Sequence, residues 1–103
     1  MTDLVQQLAK EIAVRPNQVE AAIKLIDEGA SVPFIARYRK EVTQGLDDTQ
    51  LRQLDTRLSY LRDLFERREK VIESLKEQNK LSDDLLTRVN AAETKNVLEE
   101  LYA

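Results

Sequence analysis

Three basic side chains stand close together in the first half of the sequence, and they are the residues best suited to bind a ligand. Arg37, Arg39 and Lys40 follow one another with no acidic neighbour until Glu41. On a helix, residues three apart share one edge, so Arg37 and Lys40 would present two charges to the same side while Arg39 diverges. Guanidinium and ammonium groups placed in this way contact phosphates. The pattern therefore predicts a small nucleic-acid-binding patch at these three residues, on the second helix of a helix-turn-helix.

A structural role for the same cations is the alternative interpretation, and the sequence favours it. Phe34, Ile35 and Tyr38 lie in the same stretch and cannot all face water, so we expect them to contribute to the core. The cations would then form ion pairs with another domain or with nearby carboxylates. The candidate carboxylates are Asp27, Glu28, Asp47 and Asp48.

The sequence offers no catalytic set of residues. It contains no histidine and no cysteine, which removes the commonest general base, thiol nucleophiles and cysteine-based zinc sites. Two pairs of adjacent carboxylates, Asp47-Asp48 and Asp83-Asp84, precede predicted helices, where acidic residues cap the backbone and complement the helix dipole. No glycine-rich phosphate-binding loop accompanies them. We therefore expect a protein that is not an enzyme and that uses no metal and no cofactor.

The chain shows neither a secretory signal nor a membrane-spanning segment. Its start, MTDLVQQLAK, lacks a basic region followed by an apolar run, and no window approaches the roughly 18 apolar residues of a membrane span. Residues 1–40 carry six basic and five acidic side chains, whereas residues 41–103 carry ten and fourteen. We expect a cytoplasmic protein with no membrane partner, in which any contact with phosphate is local and small.

The scarcity of turn-forming residues indicates an all-α fold. Two glycines and two prolines in 103 residues leave little material for anything except helices joined by short connections. Pro16 suits the first position of a second helix, and Gly29 suits the residue that ends it. Ser31 is a candidate cap for a short third helix, and residues 42–46 are predicted to form a loop. Residues 1–45 are thus predicted to form a small helix-turn-helix-like three-helix bundle.

A long helix opens the second predicted region, residues 46–103. Asp47 and Gln50 have the spacing of a capping box, and helical periodicity continues to about Asn79. The apolar stripe is interrupted by one polar residue, Arg68, and it is broader than a coiled-coil seam. This breadth favours packing against other helices over self-association as a coiled coil. Two short helices complete the fold, and their predicted N-caps are Ser82 and Thr94.

Five segments, spread over nearly the whole chain, form a specific pattern: residues 33–41 (PFIARYRKE), 45–52 (GLDDTQLR), 58–62 (LSYLR), 77–81 (EQNKL) and 93–102 (ETKNVLEELY). Together they resemble the N-terminal region of the bacterial Tex proteins. These are transcription accessory proteins related to a eukaryotic transcription elongation factor that binds histones. The chain departs from the pattern at Gln44, where family members often carry glycine.

The resemblance implies a much longer protein with several further domains. These are a nuclease-like fold usually considered catalytically degenerate, helix-hairpin-helix motifs and a C-terminal OB-fold that binds RNA. In the family, nucleic-acid binding is ascribed chiefly to the OB-fold, and the N-terminal region is described as helix-turn-helix-like.

We therefore expect this chain to be the helical scaffold and interaction region of a Tex-like transcription accessory protein. Its expected partners are other domains of the same protein, the transcription machinery, and nucleic acid. Nucleic acid would be bound weakly here, or through domains that this sequence does not contain. Two alternatives stay open: an autonomous DNA- or RNA-binding helix-turn-helix module, and a self-associating coiled coil.

Overall fold

The computed structural model describes the backbone of residues 2–103 and the side chains of residues 3–103. Within this range the chain forms helices and no strand, which confirms the all-α prediction. The seven helices are α1 (Thr2–Ile12), α2 (Pro16–Asp27), α3 (Val32–Tyr38), α4 (Lys40–Thr43), α5 (Asp48–Glu77), α6 (Asp83–Ala91) and α7 (Lys95–Tyr102). No helix in this range is both long and apolar enough to cross a membrane.

The helices belong to two compact units, residues 1–61 and residues 62–103, and α5 contributes residues to both. Each unit has its own buried apolar residues. The proposed division into residues 1–45 and 46–103 stays a prediction.

In the first unit, the α1–α2 pair follows the sequence closely. α2 begins at Pro16, as predicted, and ends before Gly29, whose φ of +97° is a left-handed conformation that glycine adopts without steric cost. One face of α1 is buried together with the inner face of α2. The fully or nearly fully buried apolar residues of the two helices are Leu4, Val5, Leu8, Ala9, Ile12, Val19, Ala22 and Ile23.

The connection from α3 to α5 differs from the prediction. A short helix, α4, occupies Lys40–Thr43, where the sequence predicted the start of a loop. Gln44 and Gly45 then adopt φ values of +58° and +94° and end that helix. This left-handed conformation is less favourable for glutamine at position 44 than it would be for glycine.

A buried amide holds this connection against α2. Gln18 is only 8% exposed, and its Nε2 donates hydrogen bonds to the carbonyl oxygens of Thr43 and Gln44, both at 3.2 Å. Its Oε1 accepts from the backbone N–H of Arg15 at 3.0 Å. The Arg15 guanidinium in turn donates to Gln44 Oε1 at 2.6 Å. Gln18 therefore ties the start of α2 to the end of α4.

The long helix α5 begins with the predicted capping box. The Gln50 backbone N–H donates to Asp47 Oδ1 at 2.7 Å, and the Asp47 backbone N–H donates to Gln50 Oε1 at 3.0 Å. The apolar stripe of α5 is buried within the chain, which favours the packing interpretation over the coiled coil. Its buried members are Leu51, Leu54, Leu58 and Leu61 in the first unit, and Leu64, Val71 and Leu75 in the second.

An ion pair joins α1 to α5 within the first unit. Arg57 donates from Nε and from an Nη atom to the two carboxylate oxygens of Glu11, at 2.7 and 3.1 Å. These hydrogen bonds hold the pKa of Glu11 below its ordinary value of 4.5. Because the folded-state pKa is lowered, the pair stabilises the fold above pH 4.5. This contribution is lost as the pH falls through the lower, folded-state value.

In the second unit, the contacts of Arg68 explain why a polar residue interrupts the leucine stripe of α5. Its Nε donates to the Val89 carbonyl at 3.2 Å and its Nη2 to the Ala92 carbonyl at 2.7 Å, at the C-terminal end of α6. The guanidinium also lies 5.0 Å from the centre of the Phe65 ring. Burial lowers the pKa of Arg68. The side chain thus supplies a donor to the Ala92 carbonyl and a second donor to the Val89 carbonyl, which also accepts from the Ala92 backbone N–H at 3.3 Å.

The predicted caps of the two short helices are confirmed. Ser82 Oγ accepts from the Leu85 N–H at 3.1 Å, and Thr94 Oγ1 accepts from the Val97 N–H at 3.2 Å. α7 is joined to α5 by a hydrogen bond of 2.7 Å between the hydroxyl groups of Tyr102 and Ser74.

We expect Gln18→Leu to lower the free energy of unfolding by about 2–3 kcal/mol, because three backbone groups lose a hydrogen bond that is buried at Thr43 and part-buried at Arg15 and Gln44. The matched control is Gln6→Leu, which makes the same change at an exposed position of α1 and should alter stability by less than about 0.5 kcal/mol. Urea unfolding followed by circular dichroism measures both. Equal effects of the two substitutions would contradict the role assigned to Gln18.

Arg68→Met should lower the free energy of unfolding by about 2 kcal/mol, because the Ala92 carbonyl loses its donor and the Val89 carbonyl loses one of its two donors while the aliphatic part of the side chain is retained. The neighbouring substitution Arg67→Met removes a partly exposed ion pair with Glu99 and a cation–π contact with the Tyr102 ring, and it should cost clearly less because no backbone carbonyl loses a donor. Thermal unfolding of the two variants, side by side, makes the comparison. A larger loss for Arg67→Met would show that the contacts of Arg68 are unimportant.

Candidate functional site

Helix α3 and the break after it position the predicted binding residues. Ser31 caps α3 by accepting from the Phe34 N–H at 3.3 Å, as predicted, and Pro33 lies in the first turn. The helix ends after Tyr38, and Arg39 has φ −130° and ψ +27°, which is not helical. This single residue separates α3 from α4 and changes the direction of the chain between two helices of seven and four residues.

The prediction that Phe34 and Tyr38 are core residues is wrong. Phe34 is 39% exposed and Tyr38 is 58% exposed, whereas Ile35 is completely buried. Successive residues on a helix point about 100° apart, so the seven-residue α3 can direct only a narrow stripe inwards. Ile35 fills that stripe, which leaves Phe34 and Tyr38 on the outer surface.

The two exposed rings are adjacent. Phe34 and Tyr38 are four residues apart, their ring centres are 5.3 Å apart, and their planes are tilted by 46°. This distance is within the range of attractive aromatic pairs. The rings form a small, fixed apolar surface.

Two of the three predicted cations lie against this surface, and the third follows in the sequence. The guanidinium carbon of Arg39 is 4.9 Å from the centre of the Phe34 ring, and that of Arg37 is 5.4 Å from the centre of the Tyr38 ring. Arg39 also donates from Nη1 to the Tyr38 carbonyl at 3.0 Å. Lys40 is exposed at the first position of α4. We call these five residues, Phe34, Arg37, Tyr38, Arg39 and Lys40, the aromatic–basic patch.

The cations of the patch do not pair with the carboxylates that the structural interpretation named. In the part of the chain that the structure describes, no ion pair involves Arg37, Arg39 or Lys40. Asp47 instead caps α5, and Asp48 pairs with Arg52 on the same helix. Pairing of the patch with another domain stays a prediction.

The remaining acidic pair also has a structural position. Asp83 and Asp84 lie in the first turn of α6, where carboxylates complement the helix dipole, and Asp84 forms an ion pair with Arg88 at 3.2 Å. Among residues 3–103 no three metal-ligating side chains come together. The aromatic–basic patch is therefore the arrangement best suited to bind a ligand, and its groups offer ring faces and positive charge.

The sequence predicted which cations belong to the patch, but it wrongly predicted that Phe34 and Tyr38 lie in the core. The available signal was the spacing: on a helix Phe34 and Tyr38 lie about 40° apart, whereas Phe34 and Ile35 lie about 100° apart. Arginines interleaved with aromatic residues on such a face are typical of a surface that contacts nucleic acid. The prediction that Phe34 and Tyr38 lie in the core rested on their apolar residue type alone.

Comparison with known proteins identifies the family of this chain. The profile described as Tex-like protein N-terminal domain matches residues 2–76, so the chain belongs to this family. It is 62% identical over 95 residues to protein YhgF of Escherichia coli K12 and 56% identical over 100 residues to the transcriptional accessory protein Tex of Neisseria gonorrhoeae. It is also 32% identical over 101 residues to the human S1 RNA-binding domain-containing protein 1.

These relatives are far longer than this chain. The matches cover 92%, 97% and 98% of the chain, but only 12%, 13% and 10% of YhgF, Tex and the human protein, respectively. The family assignment therefore concerns an N-terminal domain that accounts for about an eighth of the two bacterial proteins.

The burial pattern of α3 predicts unequal effects of substitution. Ile35→Ala should lower the free energy of unfolding by about 2–4 kcal/mol, because it leaves a cavity in the first unit. Tyr38→Ala should lower it by less than about 1 kcal/mol, because most of the ring is already in water. Urea unfolding of the two variants is the measurement, and a large loss for Tyr38→Ala would restore the core assignment.

Proposed function

We propose that this chain is a non-catalytic helical interaction region of a Tex-like transcription accessory protein, and that it makes weak contact with nucleic acid through Arg37, Arg39 and Lys40. The single observation that supports this most is that the three cations are exposed, lie within four residues of each other and form no ion pair within the described residues. The family and the name of the Neisseria relative, a transcriptional accessory protein, support the setting.

The charge distribution supports weak rather than strong binding. The net charge is −3, and residues 41–103 carry the excess of acid. Three phosphate contacts on a single strand predict a slope of about −2 in log K against log salt concentration. We propose that stronger binding belongs to other domains of the full-length protein, in line with the S1 RNA-binding domain in the name of the human relative.

The proposal includes a helix-turn-helix-like element made of α2 and α3, with the cations on and after the second of these helices. It also includes a cytoplasmic location and contact with the transcription machinery and with other domains of the same protein. The absence of histidine and cysteine from the sequence supports the non-catalytic part of the proposal.

Titration of the 103-residue chain with labelled oligonucleotides at low salt tests the proposal. We expect micromolar or weaker binding, and Arg37→Ala with Lys40→Ala should weaken it about tenfold or more, because two phosphate contacts are lost. Fluorescence anisotropy with single- and double-stranded DNA and RNA provides the measurement.

The matched control is Lys76→Ala with Lys80→Ala. It removes the same charge from exposed positions in the second unit, away from the patch in the sequence. Equal weakening by both double variants would show a nonspecific charge effect. No binding by the unmodified chain, even at low salt, would refute nucleic-acid contact by this region.

A further inference from the structure

We propose that Phe34 and Tyr38 form a stacking platform for unpaired nucleobases, so that the aromatic–basic patch selects single-stranded nucleic acid. This inference rests on the proposed function, since it takes the contact of the patch with nucleic acid as given. It adds the part of the ligand that is recognised and the side chains that hold it.

The exposure of the two rings is the first argument. Phe34 and Tyr38 leave 39% and 58% of their surface accessible, although neighbouring Ile35 is buried completely. Two large aromatic side chains left side by side on a short helix form an apolar surface that contributes little to the core. Such a surface is stabilised when a flat apolar partner covers it.

The placement of the cations is the second argument. Arg39 and Arg37 each lie close to one ring, at 4.9 and 5.4 Å, and Lys40 follows directly. A ligand with flat apolar groups joined by a negatively charged backbone matches this combination of ring faces and flanking positive charge. Single-stranded nucleic acid has this chemistry, and its bases stack both on aromatic rings and on guanidinium planes.

The distance between the rings determines where a base can stack. Inserting a base between two rings requires a gap of roughly 7 Å, twice the ~3.4 Å rise per base. The observed separation of 5.3 Å and the tilt of 46° do not leave that gap. A base therefore stacks on the exposed part of a ring or on the guanidinium that lies over it, and it is not inserted between the two rings.

The same geometry disfavours a duplex. In a double helix the faces of the bases are covered by their neighbours, and only the edges and the backbone are accessible. Phe34 and Tyr38 have no hydrogen-bonding group on the ring face with which to read an edge. A duplex could use the three cations and the Tyr38 hydroxyl, whereas an unpaired strand can use these groups and also the faces of both rings.

A tryptophan in place of Phe34 provides a direct test, because the chain contains no other tryptophan. In Phe34→Trp, a stacked base should quench the indole fluorescence. We expect quenching by single-stranded oligouridine and oligothymidine. Neither an abasic oligonucleotide of the same length, nor a duplex, nor polyglutamate should quench it.

Affinity measurements on ring variants complete the test. Phe34→Leu with Tyr38→Leu should weaken binding of oligouridine about tenfold and leave binding of the abasic oligonucleotide unchanged, because only the stacking surface is lost. Tyr38→Phe keeps the ring and should bind as the unmodified chain does. Circular dichroism checks that each variant retains its helices.

The outcomes separate this inference from the proposed function. Binding that depends on Arg37 and Lys40 but is unaffected by the ring substitutions would overturn the stacking platform and leave the proposed function intact. Quenching by polyglutamate as strong as that by oligouridine would assign the patch to an acidic protein segment and overturn the inference. No binding of any oligonucleotide at low salt would overturn both.

Discussion

The buried side-chain amide of Gln18 is the contact on which the geometry of the patch depends. α3 and α4 contain seven and four residues, and helices of this length are not stable by themselves. They are held at two points: the side chain of Ile35 is buried in α3, and Gln18 donates to the carbonyls of Thr43 and Gln44 at the end of α4. Because few residues lie between Ile35 and Thr43, these two attachments also determine which side chains of α3 and α4 face outwards. Phe34 and Tyr38 are exposed as a result of this arrangement. No contact made by their own rings is needed to keep them on the surface.

The interactions within the patch have a different character from those that hold the fold. Exposed cation–π contacts are worth only about 0.5–1 kcal/mol each, and they leave the positive charge accessible. An ion pair would neutralise that charge, as it does for Arg57 with Glu11. Arg37 and Arg39 are therefore positioned without being neutralised. The fold is stabilised mainly by apolar burial and by satisfied backbone groups, so the patch is free to serve binding.

Local chemistry explains which features could be predicted from the sequence. The caps at Asp47, Ser82 and Thr94 and the helix start at Pro16 depend on residues within one turn of each other, and all were predictable. The break at Arg39 was not, because the residues after it are fixed by Gln18, which is 25 positions away from Thr43 in the sequence. The role of Arg68 also depends on α6, more than 20 residues further along. In the candidate site, the location of the cations followed from residue type, whereas the exposure of the rings required the fold.

A weak site for unpaired bases is physically reasonable in a protein that has other nucleic-acid-binding domains, as we propose for the longer chain. Once a strand is held elsewhere, binding at a second site becomes intramolecular, with an effective concentration that reaches the millimolar range for short connections. Under that condition a contact with a millimolar dissociation constant is substantially occupied. The net charge of −3 then becomes an advantage, because it suppresses nonspecific attraction to duplex DNA while the rings add preference for unpaired bases. Low affinity and selectivity for single strands are consistent with each other on this surface.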